Sequence, residues 1–432
     1  MFRTVVTTIL FAGSAALSWA ATDLAEAVQS GDLWSLEKSE LTRKYLQGTR
    51  YSSIDENTQR VDARNALTIG AIAPNEMIFK WNGDKLASIQ IIIYNKGDDG
   101  AMQQGAFEGK VKKSRETIEE IVGQPGKAAK VSEKETGIKT QAWDWSWESG
   151  AIHLDCGSTG GTSKNKKKQG EPFQAEFIRM DMGPDAKSIE KGGASDKISA
   201  KVLLKSLKKE DNGDVWLSTV PMVDQGQKGY CVPASISRVF AFYGMDGVDQ
   251  HALAAICGTA SGPDGGTRTD NMEESMKKIC KKFPVRIVNL EKKHKDYTSF
   301  LLDVMAKYNK VAGKMGKEEI PESQGQQFWD VADGDVLVAA RGGKSDANKF
   351  LNDVAKNINA GTPVLWCVTL GIVKETVQVP QQRGGHMRLI IGYNKEEKTI
   401  IYSDSWGQGH EKKSMPASDA AAITTNRYVL KR

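Results

Sequence analysis

A cysteine at the start of an apolar helical pattern is the residue of this chain best suited to nucleophilic chemistry. Residues 224–244 read DQGQKGYCVPASISRVFAFYG, and the apolar pattern begins at Cys231. Pro233 suits the first turn of a helix and Gly244 suits its end. A thiol at the N-terminus of a buried helix faces the positive end of the helix dipole, which favours the thiolate. The pattern therefore predicts one half of an activated nucleophile at Cys231.

The other half is a base, and His386 has the most suitable context among the five histidines. It stands near the start of the segment GGHMRLIIGYN, which predicts a β-strand. The polar turn NKEEK and a second strand, KTIIYSDSWG, follow directly. In an antiparallel hairpin the start of the first strand lies beside the end of the second, so we expect Asp404 next to His386. A carboxylate there would fix the orientation and the tautomer of the imidazole.

The other histidines lack this context. His410 follows Asp404 in the loop after Trp406, and we expect it at the surface; His153, His251 and His294 are expected to be structural or solvent-facing. No pair of histidine, cysteine or acidic residues has the spacing of a zinc site, so the sequence predicts no metal and no cofactor.

A lone cysteine in an apolar helix is usually inert core, but its order with the other polar residues resembles the papain-like cysteine peptidases. Gln225-Gly226 precedes Cys231, a glycine–histidine pair leads a strand, and DSWG follows. That family has glutamine, cysteine, histidine and asparagine or aspartate in this order. The segment CVPASISRVFAFYG and the aspartate at 404 look closer to the bacterial branch that includes the double-glycine leader peptidases.

The resemblance implies a role for each matching polar residue. Gln225 would be the oxyanion-hole donor and Cys231 the nucleophile. His386 would be the general base and acid, and Asp404 would orient it. The resemblance covers most of residues 215–432 in separate motifs, and residues 21–214 lie outside it.

Three further residues resemble the substrate side of the family's site. Gly265-Gly266 resembles the double-glycine loop that lines the substrate cleft, and Trp406 matches the indole that covers the histidine–carboxylate pair. The chain also departs from the family pattern. The residue after the nucleophile, Val232, is not aromatic, and a long interposed segment, residues 292–330, bears on the shape of the cleft.

Residues 21–182 predict a small α+β domain with an antiparallel sheet. A helical pattern over 21–50 comes first, and Asn82-Gly83-Asp84 then separates two alternating apolar runs, which indicates a hairpin. The segment AFEGKVKKSRETIEEIVGQPG predicts an amphipathic helix that stops at Gly123. A stripe of three tryptophans follows on one strand face, in TQAWDWSWESG; it could be a binding platform, but such a stripe is more often core.

The predicted fold class is α+β throughout. Residues 183–214 are charged and glycine-bearing and predict a linker. Residues 215–432 are expected to form a papain-like, two-lobed peptidase domain, with Cys231 on a helical lobe and His386 and Asp404 on a β-sheet lobe.

The first 20 residues predict a cleaved signal peptide, because Arg3 precedes an apolar run that ends in Ser18-Trp19-Ala20. The mature chain would start near Ala21 and be secreted or periplasmic. No later run is long and apolar enough for a membrane span. The five cysteines could include a Cys257–Cys280 disulfide, or they could be buried free thiols.

The expected function is an exported cysteine peptidase that forms an acyl-thioester intermediate, with a peptide or protein as its substrate. A net charge of +5 over 432 residues is too small to favour a nucleic-acid partner. Two alternatives stay open. One is an acyltransferase with the same chemistry, and the other is a binding module built on a catalytically retired peptidase fold.

Overall fold

A computed structural model describes residues 21–129, 138–161, 172–189, 203–226, 228–245, 250–260, 262, 265–268, 272–291, 294–375 and 383–432. The predicted signal peptide, residues 1–20, lies outside the described residues. So do residues 190–202 of the predicted linker. We refer to described residues 21–189 as the N-terminal part and to described residues 203–432 as the C-terminal part.

An antiparallel sheet dominates the N-terminal part, and its described strands follow the order β2-β3-β5-β6-β10-β9-β8-β7. A parallel pair, β1 and β4, lies apart from it. The strands are β1 (Thr22–Asp23), β2 (Arg50–Asp55), β3 (Thr58–Asp62), β4 (Leu67–Thr68), β5 (Glu76–Asn82), β6 (Lys85–Asn95), β7 (Lys127–Ala128), β8 (Lys139–Trp147), β9 (Gly150–Thr159) and β10 (Gln174–Gly183).

The predicted hairpin is confirmed, because β5 and β6 pair across a turn in which Gly83 has φ of 62°. The helices of this part are α1 (Ala25–Ser30), α2 (Lys38–Tyr45), α3 (Lys96–Asp99) and α4 (Gln104–Val122). The single helical pattern over 21–50 is broken, since α1 ends at Gly31 in the left-handed region. The amphipathic helix is confirmed as α4, which ends at left-handed Gly123.

The tryptophan stripe of β8 packs on the core, as predicted. Trp145 is 2% exposed, and Trp143 and Trp147 are partly buried against the same apolar cluster. This cluster lies on one face of the first sheet, between the sheet and its helices, and it is separate from the core of the C-terminal part.

A second sheet forms the C-terminal part, with the described strands in the order β11-β12-β15-β14-β18-β13; β16 pairs with β15 and β17. The strands are β11 (Leu207–Lys209), β12 (Asp214–Leu217), β13 (Arg286–Asn289), β14 (Val364–Leu370), β15 (Gly384–Asn394), β16 (Thr399–Ser403), β17 (Lys413–Pro416) and β18 (Thr424–Lys431). β11 and the first residue of β12 fall within the predicted linker 183–214, so that segment already contributes to this sheet.

Helices pack against the second sheet around one large apolar core. They are α5 (Cys231–Phe242), α6 (Gln250–Cys257), α7 (Met272–Lys282), α8 (Tyr297–Lys314), α9 (Phe328–Val331), α10 (Gly334–Arg341), α11 (Lys344–Ile358) and α12 (Ala417–Ile423). α5 is buried along nearly its whole length and contacts β15. The mixed helix and sheet content agrees with the predicted α+β class. Within the described ranges, no helix combines the length and the apolar character that a membrane crossing needs.

Candidate active site

Cys231 is the first residue of α5, and its thiol lines a cleft of about 240 Å³. The residue is partly exposed, whereas the helix behind it is buried. Ile236, Val239 and Phe240 share one face of α5 and pack in the core, and small residues such as Ala234 and Ser235 are buried beside them. The folded chain thus holds a thiol rigidly at a helix N-terminus and at the edge of solvent.

His386 faces the same cleft from the start of β15. It lies opposite Val368 of β14, and β15 then pairs on its other side with β16 in the register Leu389↔Ser403. Asp404 directly follows β16, and its Oδ1 lies 3.0 Å from His386 Nε2. Both side chains are buried, with His386 8% and Asp404 0% exposed. The hairpin therefore brings together an imidazole and a carboxylate that are 18 residues apart.

The thiol and the imidazole both line the cleft, and hydrogen-bonding and charge interactions between them shift the pKa of each group. Because Nε2 of His386 faces Asp404, Nδ1 is the ring nitrogen left for Cys231. Burial raises the pKa of the Cys231 thiol, but the hydrogen bond and the charge of His386 outweigh burial and lower it. Burial likewise lowers the pKa of His386, yet Asp404 and Cys231 outweigh it and raise that pKa. The two shifts favour a thiolate–imidazolium pair.

Replacing His386 with alanine should raise the pKa of Cys231, because burial would then act on the thiol without the imidazole. At neutral pH we expect alkylation of Cys231 by iodoacetamide to slow by roughly tenfold for each unit that the pKa rises. Alkylation rates across a pH series, followed by mass spectrometry, measure this effect. His153→Ala is the control, since His153 pairs with Asp144 in the N-terminal sheet. Identical pH profiles for His386→Ala and wild type would contradict the assignment.

Two cations surround the carboxylate of Asp404. Arg388 Nε lies 2.8 Å from Oδ1, and Lys413 Nζ donates to Oδ2. Burial raises the pKa of Asp404, but Arg388, His386 and Lys413 outweigh burial and hold it far below its usual range. Asp404 is therefore a permanent anion that can keep the imidazole in one orientation.

Further hydrogen bonds hold Arg388 and Asp404 in place. Glu375 accepts both hydrogen bonds of Arg388 Nη2, at 2.9 and 3.0 Å, and its Oε2 also accepts from the Tyr402 hydroxyl. Arg238 of α5 donates to the Asp404 carbonyl at 2.9 Å. None of these residues was predicted from the sequence to belong to the site. Only Arg388 carried a local signal, because it is two residues from His386 and so shares its strand face.

Trp406 stacks on the imidazole of His386, with ring centroids 4.4 Å apart and planes 17° from parallel. The His410 ring packs edge-on against the Trp406 ring, with centroids 5.4 Å apart. The prediction of His410 as a surface residue is wrong, because it is half-buried and its carbonyl accepts the Asp404 backbone N–H at 3.0 Å. The loop 404–410 therefore closes over the histidine–carboxylate pair.

Gln225 lies in the loop before α5 with its side-chain amide held at both ends. Its Nε2 donates to the Lys228 carbonyl at 2.8 Å, and its Oε1 accepts from the Ser405 hydroxyl at 2.8 Å. Its backbone N–H also donates to the Ser405 carbonyl. One N–H of the amide is not needed for these bonds, and the loop leads directly to Cys231.

Gly265 and Gly266 contact the loop before Cys231 and are not among the described residues that line the cleft. A Cβ on Gly229 would sit 1.5 Å from the Gly265 carbonyl oxygen, so the two loops touch backbone to backbone. From the glycine loop, Thr267 lines the cleft. Trp406 likewise contacts His386 and is not part of that lining.

The rest of the cleft lining mixes apolar and aromatic side chains with polar ones. Four of its described residues come from the interposed segment: Tyr297, Gln326, Trp329 and Asp330. The others include Val232, Met272, Cys367, Val368 and Met387. The insertion therefore supplies one wall of the cleft.

All five cysteines lie in the described residues and are free thiols, so Cys257 and Cys280 are not joined. Cys367 is buried, as predicted, and burial raises the pKa of its thiol far above the usual value although it lines the same cleft as Cys231. Only one of these two thiols is thus prepared to act as a nucleophile. No group of three histidine, cysteine or acidic side chains in the described ranges could hold a metal ion.

Comparisons with known proteins bear on the C-terminal part. A comparison with curated proteins found no match. Residues 217–429 match the family model described as "Peptidase_C39 like family", which supports a papain-like cysteine peptidase family for this part of the chain.

Proposed function

We propose that this chain is an exported cysteine peptidase in which Cys231, His386 and Asp404 form the catalytic triad. The observation that carries the proposal is the chain of contacts from the thiol through the imidazole to a carboxylate, with Asp404 Oδ1 3.0 Å from His386 Nε2. The family match supports a peptidase of this chemical type. Acyl transfer by a thiol requires a nucleophile, a base in contact with it and a group that orients the base.

In the proposed first step the Cys231 thiolate attacks the carbonyl carbon of a peptide bond. The carbonyl oxygen gains negative charge and meets the backbone N–H of Cys231 and the free N–H of Gln225. One such donor typically contributes about 3 kcal/mol to transition-state stability. The His386 imidazolium then protonates the amine as the C–N bond breaks, which leaves a thioester on Cys231.

In the second step His386, now neutral, removes a proton from water as the water attacks the thioester. The acid product leaves, and the thiolate–imidazolium pair is restored. Throughout, Asp404 keeps the ring directed at the thiol, and the Trp406 indole shields the pair from bulk water. Gly265-Gly266 and Thr267 would approach the substrate backbone next to the cleft.

Covalent labelling by E-64, an epoxide that alkylates thiol peptidases, tests the proposal. We expect one inhibitor molecule per chain, mapped by peptide mass spectrometry to Cys231, because this thiol alone combines a lowered pKa with contact to the cleft. Cys280→Ala is the matched control, since Cys280 is the other partly exposed cysteine, and it should label like wild type. Labelling of several cysteines, or no labelling of Cys231, would contradict the proposal.

Export to a secreted or periplasmic location is part of the same proposal. The mass of the intact labelled protein also reports where the chain begins. A chain isolated from the medium or the periplasm should begin near Ala21, after removal of residues 1–20. A chain that keeps Met1 would contradict export by a cleaved signal.

A further inference from the structure

The N-terminal part contacts the loop that leads into α5, which we call the nucleophile loop (described residues 221–226 and 228–230). Lys228 in this loop has a side chain that is 0% exposed, and its Nζ lies 3.2 Å from Glu76 Oε1 and 3.2 Å from Asp98 Oδ2. Glu76 begins β5 and Asp98 lies in α3. A buried ammonium is stable only with such partners, because removing one of them costs several kcal/mol. Lys228 is therefore anchored in the N-terminal part.

A second anchor lies at Asp224, on the other side of Gln225. Arg60 of β3 approaches it twice: Nη1 lies 2.9 Å from Asp224 Oδ2, and Nη2 donates to the Asp224 carbonyl at 2.9 Å. Arg60 Nε also lies 3.2 Å from Glu76 Oε2, so Glu76 joins the two anchors. We call Arg60, Glu76, Asp98, Asp224 and Lys228 the clamp.

The charges of the clamp pair across the two parts of the chain, Lys228 with Glu76 and Asp98, and Asp224 with Arg60. The clamp contains two cations and three anions, and Arg64 adds a third cation 3.4 Å from Asp98 Oδ1. Burial raises the pKa of Glu76, but Lys228 and Arg60 outweigh it and lower that pKa to about 2. The carboxylate is thus fully charged under ordinary conditions, and Lys228 and Asp224 would lose their partners without the N-terminal part.

The clamp holds the residues that position the Gln225 side chain. The carbonyl that accepts from Gln225 Nε2 belongs to Lys228, the residue whose side chain is anchored. Asp224, the residue before Gln225, is anchored as well, and its Oδ1 accepts the Gly226 N–H at 2.8 Å. The position of the Gln225 amide therefore depends on contacts made by residues 60, 76 and 98.

Close packing between Gly97 and Tyr230 also supports contact between the N-terminal part and the nucleophile loop. A Cβ on Gly97 would lie 2.6 Å from Cε1 of Tyr230, the residue that precedes Cys231, so only glycine lets the two parts close together. The described residues that line the cleft all fall between 231 and 425. In the described chain the N-terminal part thus supports the nucleophile loop from behind and leaves the cleft itself open.

We propose that Lys228, held by Glu76 and Asp98, is a positioning residue for the Gln225 amide, so that residues 21–189 are a permanent part of the catalytic centre and not a removable propeptide. This inference rests on the proposed function, because it requires Gln225 to stabilise the oxyanion.

Two reactions of Cys231 separate oxyanion stabilisation from thiol reactivity. Acylation by 4-nitrophenyl acetate passes through an oxyanion: the thiolate attacks the ester carbonyl, the C–O bond breaks, and 4-nitrophenolate leaves as a thioester forms. Alkylation by iodoacetamide displaces iodide at carbon and forms no oxyanion, so it reports the thiolate alone. Both rates can be measured on the full chain, by the nitrophenolate burst and by mass spectrometry.

The test variant is Glu76→Gln/Asp98→Asn, which removes both charges that hold Lys228 and changes no residue of the C-terminal part. We expect acylation to slow by about 10- to 100-fold, since small displacements of a catalytic group have effects of this size. Alkylation and its pH profile should stay within about twofold of wild type, because the triad is untouched. Asp155→Asn is the matched control, because its buried carboxylate pairs with Arg179 at 2.6 Å within the N-terminal sheet.

Slower acylation with unchanged alkylation, in the double variant but not in Asp155→Asn, would support the clamp. Unchanged acylation would overturn it, and so would a parallel fall of both rates, which would indicate general loss of structure. Should the double variant not fold, as judged by circular dichroism, Glu76→Gln alone allows the same comparison. A wild-type protein that is alkylated but never acylated would instead refute the proposed function, and the inference with it.

Discussion

Cys231→Ala is expected to lower peptide-bond hydrolysis by about 10⁵- to 10⁶-fold, which is the scale of loss when the nucleophile of a catalytic triad is removed. The reason is local. Cys231 is the cleft thiol with a lowered pKa, whereas burial raises the pKa of Cys367 in the same cleft, so that residue cannot replace it. Release of fluorescent peptides from a labelled, denatured protein substrate measures the rate.

Cys280→Ala is the control for this substitution, because it removes a partly exposed thiol outside the triad and should leave the rate within about twofold. A Cys231→Ala protein that keeps more than a tenth of the wild-type rate would show that the hydrolysis comes from other groups. Incorporation of an added amine into the substrate without net cleavage would favour the acyltransferase alternative.

Asp404→Ala is expected to lower the free energy of unfolding by about 3–5 kcal/mol, because it leaves buried cations without their counter-ion. The side chains of Arg388 and Lys413 are 0% and 2% exposed, and both contact the Asp404 carboxylate. Glu375 would still pair with Arg388, but within the described ranges no carboxylate other than Asp404 forms an ion pair with Lys413. Urea unfolding, followed by tryptophan fluorescence, measures the change.

Asp303→Ala serves as the comparison for Asp404→Ala. Asp303 also pairs with a lysine, Lys307, at 2.9 Å, but its side chain is 34% exposed. Exposed pairs of this kind contribute at most about 1 kcal/mol. Equal losses of stability in the two variants would mean that the charges around Asp404 are not an integral part of the fold.

The contacts within the hairpin could be predicted because they depend on strand periodicity. His386, Arg388 and Asp404 share a face or an adjacent strand end, and the alternating pattern of β15 and the short turn after it are both visible in the sequence. Gln225 could be placed near Cys231 only because the two are close along the chain. The helical pattern over 21–50 failed at Gly31, where a left-handed residue outweighs the apolar spacing.

The contacts between distant segments could not be predicted. Lys228 and Glu76 are 152 residues apart, and neither stands in a local pattern that distinguishes it from an exposed charge. Lys413 reaches Asp404 only because β17 pairs with β16, and no strand was predicted at β17 from the sequence. Buried ion pairs of this kind depend on tertiary geometry, and single-sequence periodicity carries no information about it.

The charge cluster around Asp404 determines how the protein would respond to acid. A carboxyl group whose pKa is depressed in the folded state adds stability above its unfolded pKa, near 3.9, and that stability is lost only as the pH falls through the folded pKa. For Asp404 the folded pKa lies far below the usual range, so moderate acidification leaves the carboxylate charged. The Cys231 thiolate regains its proton at a higher pH than Asp404 does, so the thiolate would be lost while the Asp404 anion still binds its cations. On this basis acid would lower the proposed hydrolysis reversibly, and returning to neutral pH would restore it without refolding.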